Sequence, residues 1–456
     1  MTSKRQHLLA FVLLLLATLA WYHPLVLNPT NILVSPTSDL IAEHIPIKRY
    51  LIKTWQETGE MPLWCPYLYS GSAVIHDPQI AAYYPLHWAL LLLPEEYVGC
   101  GMSWIIVLHT FLAGWLTYVY ARWRGYRLSG ALIAGFGFMF APRWMAHLLM
   151  AGHYITIGLA WMPLVLLCLE KAMRSPSILP GNDSRGALFW SLLGGGVSAL
   201  LILCTQPQWT FYICIFLVLW TFSEVWHAEH LTRAQALRRW MLSGGITMIM
   251  AGALTVVQMW PTYVASRESL RAVAPPPSTL TESLNMWPKI IGPEIQAYPH
   301  LWKWESRGGF ALLWLLSALL ALVLCKKSRY LAGVTIILLL LSGGGAALIS
   351  GLPGFSSFRF HSRILLVAAF PIALLAARTM ERLFDSPMES KRKLCLGLWI
   401  GVGLLCVGTY HVTRLTLLYY DFPTEFPSYL ITAPILLLVS SLLLWYRVPF
   451  SPRWKG

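Results

Sequence analysis

An acidic pair near the start of the chain has the residue types and spacing of a proton-transfer site. Asp39 and Glu43 are four residues apart, so a helix over 39–45 would place both carboxylates on one face. Two close carboxylates raise the pKa of one of them, and together they could hold a divalent cation such as Mg²⁺ or Mn²⁺. Asp39 is therefore a candidate general base, with Glu43 beside it. An acid at a helix N-terminus also acts as a cap or complements the helix dipole, and this alternative stays open.

Asp77 is a second acid with two interpretations. It stands directly before Pro78, and this order at the start of a predicted helix over 78–93 is typical of an N-cap. The same carboxylate is a second candidate catalytic acid. The Asp-Pro order favours capping, and catalysis stays open as the alternative.

Two pairs of arginines have the spacing of phosphate-binding groups. Arg359 and Arg363 are four residues apart at the predicted start of an apolar span, where a helix N-terminus and two guanidinium groups would stabilise a phosphate. Interfacial snorkelling is the structural alternative. Arg267 and Arg271 form a similar pair, although Glu268 between them offers a competing ion pair.

Histidines and glutamines near the predicted span ends are candidate ligands for a sugar or an acceptor. Glutamine amides suit sugar hydroxyls but equally form hydrogen bonds between membrane helices. A single histidine at a membrane interface often has a structural role. The candidates are His44, His76, His153, Gln206, Gln208 and Gln258.

Membrane-spanning helices must position these groups. Of the 456 residues, 57% are hydrophobic and only 12% are charged, and apolar runs of near-spanning length recur along the chain. We predict an all-α polytopic membrane protein in which residues 1–456 form a single transmembrane domain. The twelve predicted spans are 8–27, 99–121, 128–141, 154–170, 188–204, 209–223, 241–260, 309–325, 330–349, 362–378, 394–412 and 430–446.

The basic residues predict the orientation of these spans. Of the 34 Lys and Arg residues, 22 fall in the short loops on the side of both termini, which the positive-inside rule assigns to the cytoplasm. The net charge of +14 is thus a topology signal. With no basic run and no nucleic-acid fold signature, the sequence excludes nucleic acid as a partner. The long loops 28–98 and 261–308 fall on the outer side, and such loops are usually functional.

The first outer loop contains helix signals and one half of a candidate disulfide. An amphipathic stretch begins near Pro46 and stops at Gly59, which predicts a first juxtamembrane helix ahead of the one over 78–93. Cys65 and Cys100 could both lie on the outer side, so a disulfide between them is an open expectation.

Short motifs follow one another in a characteristic order along the chain. They are Ser38-Asp39-Leu40, Pro62-Leu63-Trp64, Asp77-Pro78-Gln79, Tyr83-Tyr84-Pro85, Gly152-His153, Trp161-x-Pro163, Gln206-x-Gln208, Gln258-x-x-Pro261, Ser266-Arg267 and Phe358-Arg359-x-x-x-Arg363. From about residue 1 to 380, this order resembles the YfhO-type membrane proteins of the GT-C glycosyltransferase superfamily. Asp39 matches the position of the early essential acid in that family.

The resemblance implies a GT-C-like bundle and a transfer reaction. A sugar would pass from a polyprenyl-phosphate donor to a glycan, lipid or protein acceptor on the outer face of the cytoplasmic (inner) membrane of a bacterium. YfhO-type chains usually end in a large outer domain, whereas this chain stops at Gly456. The acceptor-handling part is therefore expected to be missing or supplied by a partner subunit.

Two other classes of function remain open. One is a lipid or solute transporter, and the other is an inactive GT-C relative that serves as an assembly subunit. The lack of a convincing internal repeat and the clustering of charges at the outer interface favour the enzyme over the transporter. The sugar, the acceptor, the stereochemistry and the metal dependence are not set by the sequence.

Overall fold

Helices make up most of the chain that the computed structural model describes, namely residues 3–33, 38–68, 70–175, 184–228, 231–268, 328–342 and 361–385, with a few single positions between 318 and 358. The helices are α1 (Ser3–Trp21), α2 (His23–Leu27), α3 (Ile45–Thr58), α4 (Val98–Trp123), α5 (Leu128–Met139), α6 (Pro142–Met145), α7 (Met162–Arg174), α8 (Ser184–Leu203), α9 (Pro207–His227), α10 (Arg233–Glu268), α11 (Arg329–Leu340) and α12 (Ile364–Asp385). One short antiparallel pair, β1 (Trp64–Cys65) and β2 (Ser72–Ala73), lies in the first loop.

Eight helices in the described ranges are long and apolar enough to cross a membrane, which confirms eight of the predicted spans. The predicted span 330–349 corresponds to the shorter apolar helix α11. The predicted spans 394–412 and 430–446 lie outside the described residues, as does 309–325 apart from positions 318 and 321. The chain is thus an all-α polytopic membrane protein. The eight segments are Lys4–Trp21, Glu95–Trp123, Leu128–Met150, Tyr154–Arg174, Gly186–Leu203, Pro207–Trp226, Arg233–Glu268 and His361–Arg382.

The third predicted span continues past its expected end as a broken helix. α5 ends at Met139, and α6 begins at Pro142 after two intervening residues. Proline has no N–H and cannot continue a helix from within, but it is tolerated at the start of a new one. A π-helical turn over Ala146–Met150 follows. The break gives this segment an irregular end, and that end positions the candidate site.

The first long loop, predicted to lie on the outer side, packs onto the bundle through α3. A π-helical turn over Leu40–His44 runs directly into α3, which ends at Gly59 in the left-handed conformation (φ 72°), as predicted. Leu51 and Ile52 are buried as the amphipathic pattern indicates. α3 packs against the start of α4 and the segment that precedes it.

The predicted α-helix over 78–93 is wrong in form. The segment consists of two 3₁₀ helices, Pro78–Ile80 and Pro85–Leu92. Between them Ala81 is left-handed (φ 51°), a conformation that an α-helix of L-residues does not contain. Pro85 also lacks the N–H that a continuous helix would need at that position.

Cys65 and Cys100, whose pairing the sequence leaves open, are both free. Cys65 is buried in a small cluster with Ile47 and Val74. The Cys100 thiol donates to the carbonyl oxygen of Thr30 at 2.7 Å. Each thiol is held by a different part of the loop, so the two sulfurs do not meet.

α12 is a buried helix in the core of the bundle. Its residues from Ile364 to Ala377 lie in the core, where they pack against α5 and α11. A short 3₁₀ turn over His361–Arg363 precedes α12. The buried packing of α12 therefore fixes the position of Arg363 at its start.

Candidate active site

The backbone around Asp39 is held against the end of the broken helix. The Asp39 N–H donates to the carbonyl oxygen of Ala151 at 2.9 Å. Gly152 follows with φ +66°, and a Cβ at this position would lie 2.6 Å from the backbone nitrogen of Leu40. Only glycine combines this conformation with this close approach. Gly152 therefore sets the position of Asp39.

The Asp39 carboxylate contacts the buried His153, which in turn contacts the buried His147. Its Oδ2 lies 3.4 Å from Nε2 of His153, and Nδ1 of His153 lies 2.9 Å from Nδ1 of His147. A neutral His153 that donates from Nε2 to Asp39 can accept at Nδ1 from His147. The Asp39 side chain forms no capping hydrogen bond to the π-helical turn that follows, so capping does not account for its position.

The carboxyls of Asp39 and Glu43 have opposite pKa shifts. Burial raises the pKa of Asp39, but the hydrogen bond to His153 and nearby positive charges, Arg363 among them, outweigh it and leave the pKa below its usual value. For Glu43, burial and then the negative charges of Asp77 and Asp39 all raise the pKa. Asp39 is thus ionised at neutral pH, while Glu43 keeps a proton to higher pH, as expected for a close acidic pair.

Arg363 joins Asp39 through the start of α9. Its Nη1 donates to Oε1 of Gln208 at 3.2 Å, and its guanidinium carbon lies 5.1 Å from the ring centre of Trp209. The same indole ring lies 5.9 Å from the ring of His153. The predicted residues Asp39, His153, Gln208 and Arg363 thus come together with His147 and Trp209, and these six residues are here named the Asp39 cluster.

Buried polar groups support this cluster from behind. Gln208 Nε2 donates to the Tyr212 hydroxyl at 3.0 Å, and that hydroxyl lies 2.8 Å from Nδ1 of His361. Arg143, only 1% exposed, donates from Nη2 to the Ser362 hydroxyl at 3.4 Å. The residues before α12 are therefore held by α6 and α9 together.

Asp77 caps the first 3₁₀ helix, as the Asp-Pro order predicts. Its Oδ1 accepts from the Gln79 N–H at 2.9 Å. Burial raises the pKa of Asp77, and its charge in turn raises that of Glu43. Asp77 thus lies near the acidic pair while its side chain is engaged by the backbone.

Gln258 connects α10 to the first long loop by a hydrogen bond. Its Nε2 donates to the carbonyl oxygen of Ile75 at 2.9 Å. One turn later, the Thr262 hydroxyl donates to the carbonyl oxygen of His76 at 2.7 Å. The amide of Gln258 and the backbone of His76 therefore serve to hold the loop.

His44 and Lys48 lie behind the acidic pair, inside the protein. His44 is 5% exposed, and burial lowers its pKa to about 4, which leaves it neutral at neutral pH. Lys48 is buried as well, and its Nζ donates to the Ile80 carbonyl oxygen and lies 3.1 Å from Nδ1 of His87. Burial lowers the pKa of Lys48 to about 7. This lysine fastens α3 to the 3₁₀ segments.

The remaining predicted residues divide between the periphery and the part of the chain not described. Arg267 is exposed in the last turn of α10, and Gln206 is the N-terminal flanking residue of α9. Arg359 and Arg271 lie outside the described residues.

Sequence reasoning missed His147, Trp209, Tyr212, His361, Arg143 and Lys48. Two of them carried a signal, since Trp209 follows Gln206-x-Gln208 and His361 lies between Arg359 and Arg363. Lys48 fell on the amphipathic α3, where a lysine normally faces water. Long-range packing decides its burial, which local sequence does not reveal.

The expected divalent cation does not find a formed site in the described residues. No group of three or more His, Cys, Asp or Glu side chains in these ranges is arranged to hold a metal ion. Asp39 is engaged with His153, and Asp77 with the Gln79 amide. A metal site therefore remains a prediction from the sequence.

Comparisons with known proteins place the fold. No protein-family model matches the chain, and no curated protein matches it. Two solved structures are similar to 97% and 89% of it, at 13% and 14% identity and TM-scores of 0.49 and 0.51. The first is the archaeal oligosaccharyltransferase AglB from Archaeoglobus fulgidus in complex with an inhibitory peptide and a dolichol-phosphate. The second is the Archaeoglobus fulgidus oligosaccharyltransferase in complex with Zn and sulfate.

The likeness to the second structure, at this low identity, shows the fold alone. The chain covers about half the length of these proteins, 55% and 52% respectively. The chain is thus a helical membrane bundle, as expected from the sequence, with a fold similar to that of an oligosaccharyltransferase. The narrower resemblance to YfhO-type proteins stays a prediction.

Proposed function

We propose that this protein is a membrane glycosyltransferase that moves a sugar from a polyprenyl-phosphate-linked donor to an acceptor on the outer side of the membrane. The observation that carries the proposal is the Asp39 cluster, in which an ionised carboxylate and an arginine converge at one end of a GT-C-type bundle. Glycosyl transfer from a lipid phosphate needs these two groups, a proton acceptor and a cation for the departing phosphate.

The reaction assigns one step to each group. The acceptor oxygen attacks the anomeric carbon as the bond from that carbon to the donor phosphate oxygen breaks. Asp39 takes the proton of the acceptor hydroxyl, and the electron pair of the broken bond leaves on the polyprenyl phosphate. Arg363 stabilises that charge, because its guanidinium is already held by Gln208 and Trp209 before substrate arrives.

His153 and His147 are assigned a positioning role. The contact from His153 Nε2 orients the Asp39 carboxylate, and the contact from His147 fixes which nitrogen of His153 carries its proton. Glu43 is a candidate for exchanging the proton with solvent, since its raised pKa lies closer to neutrality than that of Asp39.

The proposed setting follows the charge distribution. By the positive-inside rule, the proposal has both termini in the cytoplasm and the Asp39 cluster on the outer face of a bacterial cytoplasmic membrane. An outer glycan, lipid or protein would be the acceptor. A partner subunit that presents the acceptor is part of the proposal.

The test is a transfer assay with Asp39→Asn. Wild type, Asp39→Asn and the control Glu60→Gln, an exposed acid of the same loop, are purified and assayed with radiolabelled polyprenyl-phosphate sugars. We expect Asp39→Asn to lose at least about 100-fold in rate, the size of a general-base contribution, while Glu60→Gln keeps the wild-type rate. Equal thermal unfolding of the three proteins in detergent is required for the comparison. Equal transfer by Asp39→Asn would refute the base assignment.

The donor side is tested by Arg363→Lys. Lysine keeps the charge but lacks the planar guanidinium that donates to Gln208 and lies over the Trp209 ring. We expect a rise in KM for the donor or a fall in kcat of about 10-fold or more. If the wild-type protein transfers sugar from none of the polyprenyl-phosphate donors, the result would instead favour the transporter or the inactive assembly subunit.

A further inference from the structure

The end of the bundle opposite the Asp39 cluster contains a cavity of about 1100 Å³. It lies where α4, α7, α9 and α12 end and where α10 and α11 begin. Its wall includes Arg124, Arg174, Arg239, Arg378 and Arg382, and we name it the arginine cavity. Because these helix ends are the ends of membrane spans, the cavity lies at the level of the membrane surface.

A buried ion-pair network builds one wall of the arginine cavity. Arg124 lies 2.9 Å from Glu170 and 2.8 Å from Glu224, and Arg174 holds Glu224 through two contacts of 2.8 Å. Glu170, fully buried, also accepts from the Tyr120 hydroxyl at 2.7 Å. This network keeps the acidic groups tied to two of the arginines.

The remaining arginines add positive charge to the described wall of the arginine cavity. Arg378 lies 3.0 Å from Glu381 and 3.8 Å over the ring of Tyr126, while Arg239 donates to the carbonyl oxygen of Ser175 at 2.9 Å. The described wall thus carries five arginines against Glu224, with Glu170 and Glu381 behind it. The balance of charge favours an anion.

The rest of the wall is apolar, and the arginine cavity is therefore amphiphilic. Met173, Leu331 and Leu374 lie on it beside Trp123 and Trp220. A volume of this size accommodates a lipid headgroup and the first part of its chains, since small-molecule sites occupy about 300–1,000 Å³. Basic pockets between membrane helices at the surface suit anionic headgroups.

Arginines at helix C-termini on one face also follow from the positive-inside rule and the helix dipole. That explanation covers the charges but not the cavity, because packed helix ends leave few voids larger than a water molecule. It also does not require arginines and apolar side chains to share one wall.

We propose that the arginine cavity binds the phosphate headgroup of an anionic phospholipid from the adjacent leaflet, with Arg239 and Arg382 as the groups that contact the phosphate. The lipid chains would run along the apolar wall between α9 and α11. This site is separate from the Asp39 cluster, and the proposal does not depend on glycosyl transfer.

Lipid binding by the purified protein tests the proposal. Native mass spectrometry in a non-ionic detergent measures the dissociation constants of phosphatidylglycerol and of zwitterionic phosphatidylcholine. The variant Arg239→Gln/Arg382→Gln is compared with Arg238→Gln/Arg329→Gln, which removes the same charge from exposed positions that are not on the cavity wall. We expect wild type to prefer phosphatidylglycerol, and the cavity variant to bind it about 10- to 30-fold more weakly, at roughly 1 kcal/mol per arginine. The control variant should bind within about 3-fold of wild type.

Three outcomes would overturn the proposal. The first is an equal loss of phosphatidylglycerol binding in both double variants, which would indicate diffuse surface charge. The second is no preference of wild type for the anionic lipid. The third is full competition by inorganic phosphate at millimolar concentration, which would indicate a site for free phosphate. Thermal unfolding of both variants without lipid controls for damage to the fold.

Discussion

Replacing Gly152 by alanine tests whether this glycine sets the position of Asp39. An L-residue at φ +66° costs about 1–2 kcal/mol. The new Cβ would also lie 2.6 Å from the Leu40 nitrogen, a clash that only backbone movement relieves, at about 1–3 kcal/mol. We therefore expect Gly152→Ala to lose about 2–5 kcal/mol of unfolding free energy, from the conformational cost of an L-residue and the clash together. The movement would displace Asp39 from His153.

Gly59→Ala provides the matched control. Gly59 has nearly the same backbone angle, φ +72°, but a Cβ there meets nothing within 4 Å. It should lose only the conformational part, about 1–2 kcal/mol, and keep its transfer activity. Equilibrium unfolding in mixed detergent micelles measures both free energies. Equal destabilisation of the two variants would refute the close approach of residues 38–40 to Gly152, whatever reaction the protein catalyses.

Two further predictions concern groups behind the site. The unfolding free energy of wild type should rise as pH increases from 7 to about 10, because Lys48 has a pKa of about 7 in the folded protein and 10.5 in the unfolded chain. Between these two pKa values Lys48 is protonated in the unfolded chain but not in the folded protein. Lys48→Met should therefore lack the rise in thermal unfolding temperature with pH. The same rise in Lys48→Met would contradict the assignment of the effect to Lys48. Asp77→Ala should lose about 1 kcal/mol of stability through the cap, whereas Asp77→Asn keeps the capping oxygen and should keep transfer. Loss of transfer in a stable Asp77→Asn would make Asp77 a catalytic acid.

The sequence predicted the elements better than their contacts. Apolar runs predicted the spans because a stretch of about twenty apolar residues identifies a span without any knowledge of what it packs against. The end of α3 followed from Gly59, since glycine readily takes the left-handed angle. The predicted helix over 78–93 is interrupted because Ala81 takes a left-handed backbone angle, which the alanine in the sequence does not indicate.

The sequence predicted the site residues that lie in short motifs and missed those that only packing brings to the site. Asp39, His153, Gln208 and Arg363 are separated by long stretches of chain, yet they meet in one cluster. Their partners, such as Trp209, became visible only through the distances between rings. Spacing along a sequence cannot report such contacts, because they depend on how α9 and α12 pack.

The packing of α12 gives a physical reason to distinguish Arg363 from a snorkelling arginine at the membrane interface. A snorkelling arginine keeps a mobile side chain in water. Arg363 instead directly precedes α12, which is buried from Ile364 to Ala377, and Gln208 and Trp209 contact its guanidinium. Asp39 is likewise fixed by the Ala151 carbonyl and the approach of Gly152. Charges of opposite sign are thus held in place on separate elements before any substrate binds, which is the arrangement that stabilises charge developing in a transition state.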